Sequence, residues 1–321
     1  MDDTDNAIVR LLREDGRLGH REIADAIGLS RSAAAARINR LIDSGRVAVR
    51  GVVHPAVLGR GSLAHVALVV RGPAAPVADL VAAREDTPFV SLTAGVHAVA
   101  AEIRTASALA VDQAVTELRS LPGVQGVDTL SYVEVARDVV GPVGEVGHEI
   151  DAVDEALLRA LQEDGRASYV DLARSVRLTP AGVRRRVIRL VDSQVVRVGA
   201  LVRQPDRAGQ AEIGVGLRLD GPAGPVVERL LAQQQTSFVA RTLGRFDVLV
   251  TLSAYDPTDL VDGVEAIRAI PGVNEVHSWT HLRVVKETYA AAGIGSLATA
   301  GHGSGRLPDR EPPDRVEVTD G

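Results

Sequence analysis

The chain has 321 residues, enough for more than one domain, and a formal net charge of −6. A net acidic chain is not a general polyanion binder, so any contact with nucleic acid depends on local basic patches. The absence of cysteine excludes disulfides, thiolate metal sites and cysteine nucleophiles. No apolar run is long enough to cross a bilayer, which predicts a cytoplasmic protein with no membrane partner. Aromatic residues make up only 2%, which disfavours recognition of single strands by base stacking.

The chain is an internal repeat. Asp5–Arg17 returns as Asp154–Arg166, an offset of 149 residues. The same offset links Arg37–Ser44 to Arg186–Ser193. Repeats at one constant offset indicate two copies of one structural unit. The sequence therefore predicts domains at 1–53 and 63–138, a linker at 139–149, domains at 150–203 and 211–289, and a disordered tail at 290–321.

The first part of each unit has the pattern of a winged helix-turn-helix. In the first unit, helices are predicted at 5–15, 21–26 and 31–44, with Gly28 in the turn before the third helix. A β-branched run at 47–53 then predicts a wing built as a small hairpin. In the second unit Arg177 replaces the turn glycine, so we expect strain there if the turn is left-handed.

The second part of each unit alternates strands and helices. Strands are predicted at 63–71, 89–93, 99–104 and 124–135, with helices at 75–84 and 107–118. The second unit repeats this order between residues 212 and 284. The fold class is therefore α+β, with two repeats of a winged helix-turn-helix followed by a ferredoxin-like βαββαβ domain.

The third helix of the second unit is the strongest candidate for contact with double-stranded DNA. Thr179 and Pro180 form a helix start, and an apolar stripe backs a basic face. Arg184 and Arg185 are expected to read base edges. Arg186, Arg189 and Thr179, beside them, are expected to contact the sugar-phosphate backbone of the DNA. The matching candidates in the first unit are Arg31, Ser32, Arg37 and Arg40, but four alanines at 33–36 replace the base-facing residues. Arg50 and Arg197 on the wings are weaker candidates, because strand-edge charges also prevent aggregation.

This order of motifs resembles the Lrp/AsnC family of transcription regulators. The resemblance rests on Asp5–Arg17 and its copy, on Arg37–Leu41 and its copy, on Gly244–Asp247 and on Pro271–Val273. It implies DNA binding by the first domain of each unit, and association and sensing of a small molecule, often an amino acid, by the second. Family members usually carry one unit per chain and pair as dimers, so this chain resembles a fused pair. We also expect the ferredoxin-like domains to associate into a homo-oligomer.

The resemblance places an effector site at the turn formed by Thr242, Gly244, Phe246 and Asp247. An aspartate that only satisfies its own turn is an equally good interpretation of Asp247. The first unit has Ala98 in place of this aspartate. His277, Trp279 and His281 alternate on the last predicted strand, where we expect the histidines to be surface or interface residues instead of metal ligands.

Two other functions stay open at this point. Siroheme decarboxylases share this two-domain plan, but the corresponding stretches here hold one histidine and no tyrosine. A ligand sensor that has lost DNA binding is the other, favoured only by the alanine-rich helix of the first unit. We see no motif for a cofactor or for a catalytic nucleophile, and we predict a regulator, not an enzyme.

Overall fold

The structure, a computed structural model, describes residues 1–147, 149–202 and 210–288. The predicted tail at 290–321 lies outside these residues. None of the helices in the described ranges is long and apolar enough to cross a membrane.

The first unit contains five helices and five strands within the described ranges, in the predicted order. They are α1 (Asp3–Glu14), α2 (His20–Ile27), α3 (Arg31–Asp43), β1 (Val47–Val53), β2 (Ser62–Val70), α4 (Ala75–Ala82), β3 (Phe89–Thr93), β4 (Val99–Thr105), α5 (Ala108–Ser120) and β5 (Val124–Arg137).

The second unit repeats this order. Its elements are α6 (Ala152–Glu163), α7 (Tyr169–Val176), α8 (Pro180–Asp192), β6 (Val196–Val202), β7 (Ala211–Leu219), α9 (Gly224–Ala232), β8 (Thr236–Leu243), β9 (Val248–Ala254), α10 (Pro257–Arg268) and β10 (Val273–Glu287).

The turn between α7 and α8 confirms the strain expected at Arg177. Arg177 closes α7 with φ 55°, in the left-handed region, just as Gly28 closes α2 with φ 71°. An L-residue with a Cβ is held there at a cost of about 1–2 kcal/mol.

The wing was predicted as a hairpin within each unit, and this prediction is wrong. β1 pairs antiparallel with β6 of the other unit, with Val47 opposite Val202 and Val53 opposite Val196. Each helix-turn-helix therefore contributes one strand to a shared two-stranded sheet. One strand alone cannot satisfy its backbone groups, and the duplicated unit supplies the partner.

The eight remaining strands form one closed cylinder in the order β10-β3-β4-β2-β5-β8-β9-β7. Each half has the antiparallel strand order of a ferredoxin-like sheet. The halves are joined edge to edge where β5 pairs with β8 and β10 pairs with β3. This closure leaves no free sheet edge in the cylinder. Helices α4 and α5 pack outside one half over a core that includes Val66, Ile103 and Leu118, and α9 and α10 cover the other half in the same way.

Candidate nucleic-acid interface and interior cavity

Helix α8 is positioned by its cap and by its buried stripe. The Thr179 hydroxyl accepts a hydrogen bond from the Gly182 N–H at 3.2 Å. Val183, Val187 and Leu190 are buried against the rest of the domain. Residues 184 and 185 lie outside this stripe, and the arginines there are exposed to solvent.

Arg184 and Arg185 are free to bind a ligand. Neither forms a hydrogen bond or an ion pair with any residue that the structure describes. Arg31, at the first position of α3, is likewise exposed and unbonded to the described residues, with Ser32 beside it. An arginine at a helix N-terminus is repelled by the helix dipole, and an anion such as a DNA phosphate relieves that repulsion.

Arg186 and Arg37 are placed differently from the sequence prediction. Arg186 donates to Asp151 and to Asp154, each at 2.8 Å, and the Asp154 carboxylate is almost completely buried. The pKa of Asp151 is held below its ordinary value by the hydrogen bond from the Asp154 N–H and by Arg186. In the first unit Arg37 makes the equivalent pairs with Asp2 and Asp5 at 2.6 and 2.8 Å. Both arginines thus fasten the third helix to the start of the first, and their contact with phosphate stays a prediction.

Arg40 and Arg189 share these carboxylates but keep more of their side chains in solvent. Arg40 lies 3.4 Å from Asp5 with 63% of its side chain exposed, and Arg189 lies 3.1 Å from Asp154 with 45% exposed. They remain candidates for phosphate contact. The signal that sequence reasoning missed is the pair of aspartates, three residues apart, that recurs at the same offset as the arginines.

The two helix-turn-helix domains are held to each other by a reciprocal clasp. Arg17 donates to the carbonyl oxygens of Gly165 and Ala167 at 2.6 and 3.0 Å. Arg166 donates to Gly16 O at 2.6 Å and to Leu18 O at 3.1 Å. The repeated Gly-Arg dipeptide thus fixes the geometry between the two recognition helices.

The Arg197 side chain is committed to backbone carbonyl groups of the protein itself. It lies in the β1–β6 sheet and donates to the carbonyl oxygens of Asp138 and Arg13 at 3.2 and 3.0 Å. Burial lowers the pKa of this guanidinium. We therefore assign it to joining the linker to the helix-turn-helix pair.

The cylinder encloses a cavity of about 170 Å³ at the end where the β3–β4 and β8–β9 turns meet. Apolar walls come from both units, with Ala67 and Leu130 on one side and Phe246 and Trp279 on the other. All three phenylalanines and the single tryptophan of the chain border this cavity or the smaller one beside it.

Of the four predicted effector residues, only Phe246 lines this cavity, together with its neighbour Arg245. The Thr242 hydroxyl donates to Phe246 O at 2.7 Å and so closes the turn. Asp247 accepts a hydrogen bond from the Leu219 N–H at 2.8 Å, and Gly244 takes φ 143°. The Asp247 side chain therefore joins the turn to the end of β7 and does not bond within its own turn. Its role in effector binding stays a prediction.

Charged groups stand at the solvent end of the cavity. Asp128 accepts from His97 Nε2 at 2.9 Å and pairs with Arg245 at 3.2 Å, and both Asp128 and Arg245 are about half exposed, at 47%. The Arg245 guanidinium also lies over the Phe246 ring, 4.5 Å from its centre. This set offers a cation and an anion beside an apolar slot.

A second cavity of about 60 Å³ adjoins the first on the other side of His65 and Trp279, whose ring centres are 5.8 Å apart. It is bordered by Glu102, whose pKa is raised by burial. His281, which we expected at the surface or at an interface, also borders it, and burial lowers its pKa to about 4. The sequence predicts that side chains of β10 alternate between two faces. Only the closed cylinder shows which of these faces points inward.

A family model of the AsnC-type helix-turn-helix domain matches the chain twice, at residues 1–42 and 150–191. An uncharacterised HTH-type transcriptional regulator of Pyrococcus horikoshii, PH0140, is 32% identical over 146 residues, which cover 44% of this chain and 92% of that protein. The HTH-type transcriptional regulator FL11 of Pyrococcus abyssi is 29% identical over 140 residues, 43% of this chain and 93% of FL11. Each relative thus corresponds in length to one of the two units.

One similar structure extends over both units. The siroheme decarboxylase NirDL is aligned over 89% of this chain and 93% of its own, with a TM-score of 0.57 and 13% sequence identity. At that identity the likeness concerns the fold alone.

Proposed function

Because this chain belongs to the Lrp/AsnC family of DNA-binding transcription regulators, with the family's two-domain unit in tandem, we propose that it binds a specific operator and responds to a small molecule. Both half-site readers then come from one chain. A regulator of this kind works in the cytoplasm, where its DNA is.

The observation that carries the proposal is the pair of unbonded, exposed arginines on α8. Arginine is the side chain that most often reads guanine in the major groove, and an uncommitted guanidinium has all its donors available. The residues at the same positions of α3 are Ala35 and Ala36, which offer only methyl contacts. We therefore propose that α8 supplies most of the base reading and that α3 binds mainly through Arg31, Ser32 and Arg40.

The test is replacement of both arginines, Arg184→Ala with Arg185→Ala. Each lost base contact costs about 1–3 kcal/mol of binding free energy, so the double variant is expected to bind specific DNA at least tenfold more weakly. Fluorescence anisotropy with DNA from upstream of the protein's own gene, over a salt series, measures this. The matched control is Arg218→Ala with Arg229→Ala, which removes the same charge from exposed positions of the second ferredoxin-like domain. Equal affinities of the two double variants would refute the assignment of α8.

The small-molecule response is proposed for the sheet domains, at the end of the cylinder where Phe246 and the Thr242–Asp247 turn lie. The support is an enclosed slot with an ion pair at its solvent end, which suits a ligand the size of an amino acid. Assembly of several chains is proposed to use outer faces, since the strand edges of the cylinder are already paired. Val133 and Leu282, at equivalent positions of β5 and β10, are exposed there.

We do not propose catalysis. The structural neighbour with a decarboxylase activity is 13% identical and shares the fold alone. A preparation of this protein with bound tetrapyrrole, visible in its absorption spectrum, would contradict that view.

A further inference from the structure

The aromatic side of the interior cavity rests on two glycines. A Cβ added to Gly214 would lie 2.2 Å from the Trp279 ring, and one added to Gly216 would lie 2.3 Å from the Phe246 ring. Both rings therefore lie directly against strand β7. Their planes differ by only 18°, with centres 6.4 Å apart. Since residues 214 and 216 share one face of the strand, the two rings form a flat platform.

The first unit does not repeat this arrangement. The positions equivalent to Gly214 and Gly216 are His65 and Ala67, and those equivalent to Phe246 and Trp279 are His97 and Leu130. The first unit therefore lines the cavity with a mixture of aliphatic groups, with Ala67 and Ala100 among them, and the two histidines. What lies between is a slot bounded by flat rings on one side.

The size of the slot limits the ligand. Engineered cavities of about 150 Å³ admit benzene, and this cavity has about 170 Å³. One aromatic ring with a small substituent fits such a space, and it gains offset stacking on the platform.

The polar groups favour a ligand that accepts hydrogen bonds. Arg245 pairs with Asp128 through one Nη atom, and a guanidinium has further donors. The buried Trp279 Nε1–H has no acceptor among the described residues. We propose that this cavity binds a small planar aromatic carboxylate, with its ring on the Phe246–Trp279 platform and its carboxylate on Arg245. This names a ligand class for the response proposed above, and only its regulatory consequence rests on that proposed function.

Trp279 is the only tryptophan in the chain, so its fluorescence reports on the platform directly. The probes are benzoate and cyclohexanecarboxylate, which carry the same charge but differ in planarity. We expect benzoate to change Trp279 fluorescence saturably, with a calorimetric binding isotherm, and to bind about tenfold or more tightly than the non-planar acid. Equal binding of both acids, or no binding of benzoate, would overturn the proposal.

Two variants locate the site. Arg245→Gln is expected to weaken benzoate binding about tenfold or more, since a hydrogen bond to a charged group is lost. Arg241→Gln is the matched control, because Arg241 has a similar exposure, 45%, and a similar pair, with Glu134, but does not border the cavity. Ala67→Leu fills the slot and is expected to abolish binding, with circular dichroism as the check on folding. If Arg245→Gln and Arg241→Gln bind benzoate equally, the carboxylate is not held by Arg245.

These assays contain no DNA, so they separate the two proposals. Benzoate binding without any operator binding would refute the regulator and keep the site. Operator binding without benzoate binding would refute the site and keep the regulator.

Discussion

His65 is a buried side chain whose protonation differs between the folded and the unfolded chain. It is 8% exposed and sits between the two interior cavities. Burial, with smaller contributions from His281, His97 and Arg245, lowers its pKa to about 3. The unfolded chain takes up a proton near the ordinary pKa of 6.5, while the folded chain does not. Stability is therefore highest above that pH and falls between about pH 6.5 and pH 3.

We predict that the free energy of unfolding decreases on acidification by up to about 1.4 kcal/mol per pH unit from His65 alone. Urea unfolding at a series of pH values measures the slope. His65→Leu is expected to reduce this slope over the same pH range. His281→Leu removes a histidine with a pKa of about 4 and is expected to reduce the slope over a narrower pH range. A slope in His65→Leu equal to that of the parent would show that this histidine is not buried as described.

At the residue scale, sequence reasoning succeeded where backbone chemistry is local. The expected strain at Arg177 followed from the glycine at the equivalent position, and the cap at Thr179 followed from the order of residues around Pro180. It did not identify the carboxylate partners of the charged side chains. Arg186 was assigned to DNA because its neighbours on the helix are basic, but Asp154 and Asp151 lie within 2.8 Å in the folded chain.

At the scale of elements, the clasp between the two helix-turn-helix domains depends on close backbone approach. Gly165 is buried, its N–H donates to Val49 O at 2.9 Å, and a Cβ there would lie 2.7 Å from Val198 and 3.0 Å from the Arg50 backbone. We predict that Gly165→Ala destabilises the protein by about 1–3 kcal/mol, because backbone atoms must move to make room. Chemical denaturation measures the loss.

Gly61→Ala is the control for that experiment. A Cβ at Gly61 would meet its nearest neighbour at 3.5 Å, an ordinary contact, and the backbone there is not left-handed. A loss at Gly165 no larger than the loss at Gly61 would mean that the domains adjust freely and that the clasp is loose.

The pairing of β1 with β6 explains why the wing was predicted wrongly. The β-branched run at 47–53 correctly indicated a strand, but strand propensity does not identify the partner. That partner, β6, lies in the other copy of the repeat. Repeats indicate equivalent elements, and only the folded chain shows that equivalent elements pair with each other.

At the scale of the whole molecule, the repeat predicted two similar halves, and the structure gives one cylinder with an asymmetric interior. The offset of 149 residues relates Glu102 to Thr251, Arg104 to Ser253 and Asp138 to Glu287. The buried chain of ion pairs that links Glu102, Arg104 and Asp138 therefore exists in the first unit and has no copy in the second. Alignment of the two copies shows that these three residues differ between the units. It does not show that the three residues meet inside the cylinder.

This buried chain connects the cylinder to the DNA-binding end. Arg104 pairs with Glu102 and lies 3.2 Å from Asp138. The Asp138 carboxylate accepts hydrogen bonds from the N–H groups of Val140 and Gly141, at 3.0 and 2.9 Å. Arg197 then joins the Asp138 carbonyl to the end of α1 through Arg13 O. Because Glu102 borders the smaller cavity, these contacts run without interruption from that cavity to the helix-turn-helix pair.

We predict that Arg197→Leu uncouples the two parts of the molecule. The half-buried guanidinium holds the linker to the β1–β6 sheet, so its loss should separate unfolding of the helix-turn-helix pair from unfolding of the cylinder. Differential scanning calorimetry should then record two transitions where the parent has one. Arg50→Leu, on the facing strand, is the control. The Arg50 side chain bonds to none of the described residues, so its removal should leave the single transition unchanged. A single transition in Arg197→Leu would show that the domains stay coupled without this arginine, through packing and the other linker contacts, such as His54 Nε2 to Gly144 O at 3.0 Å.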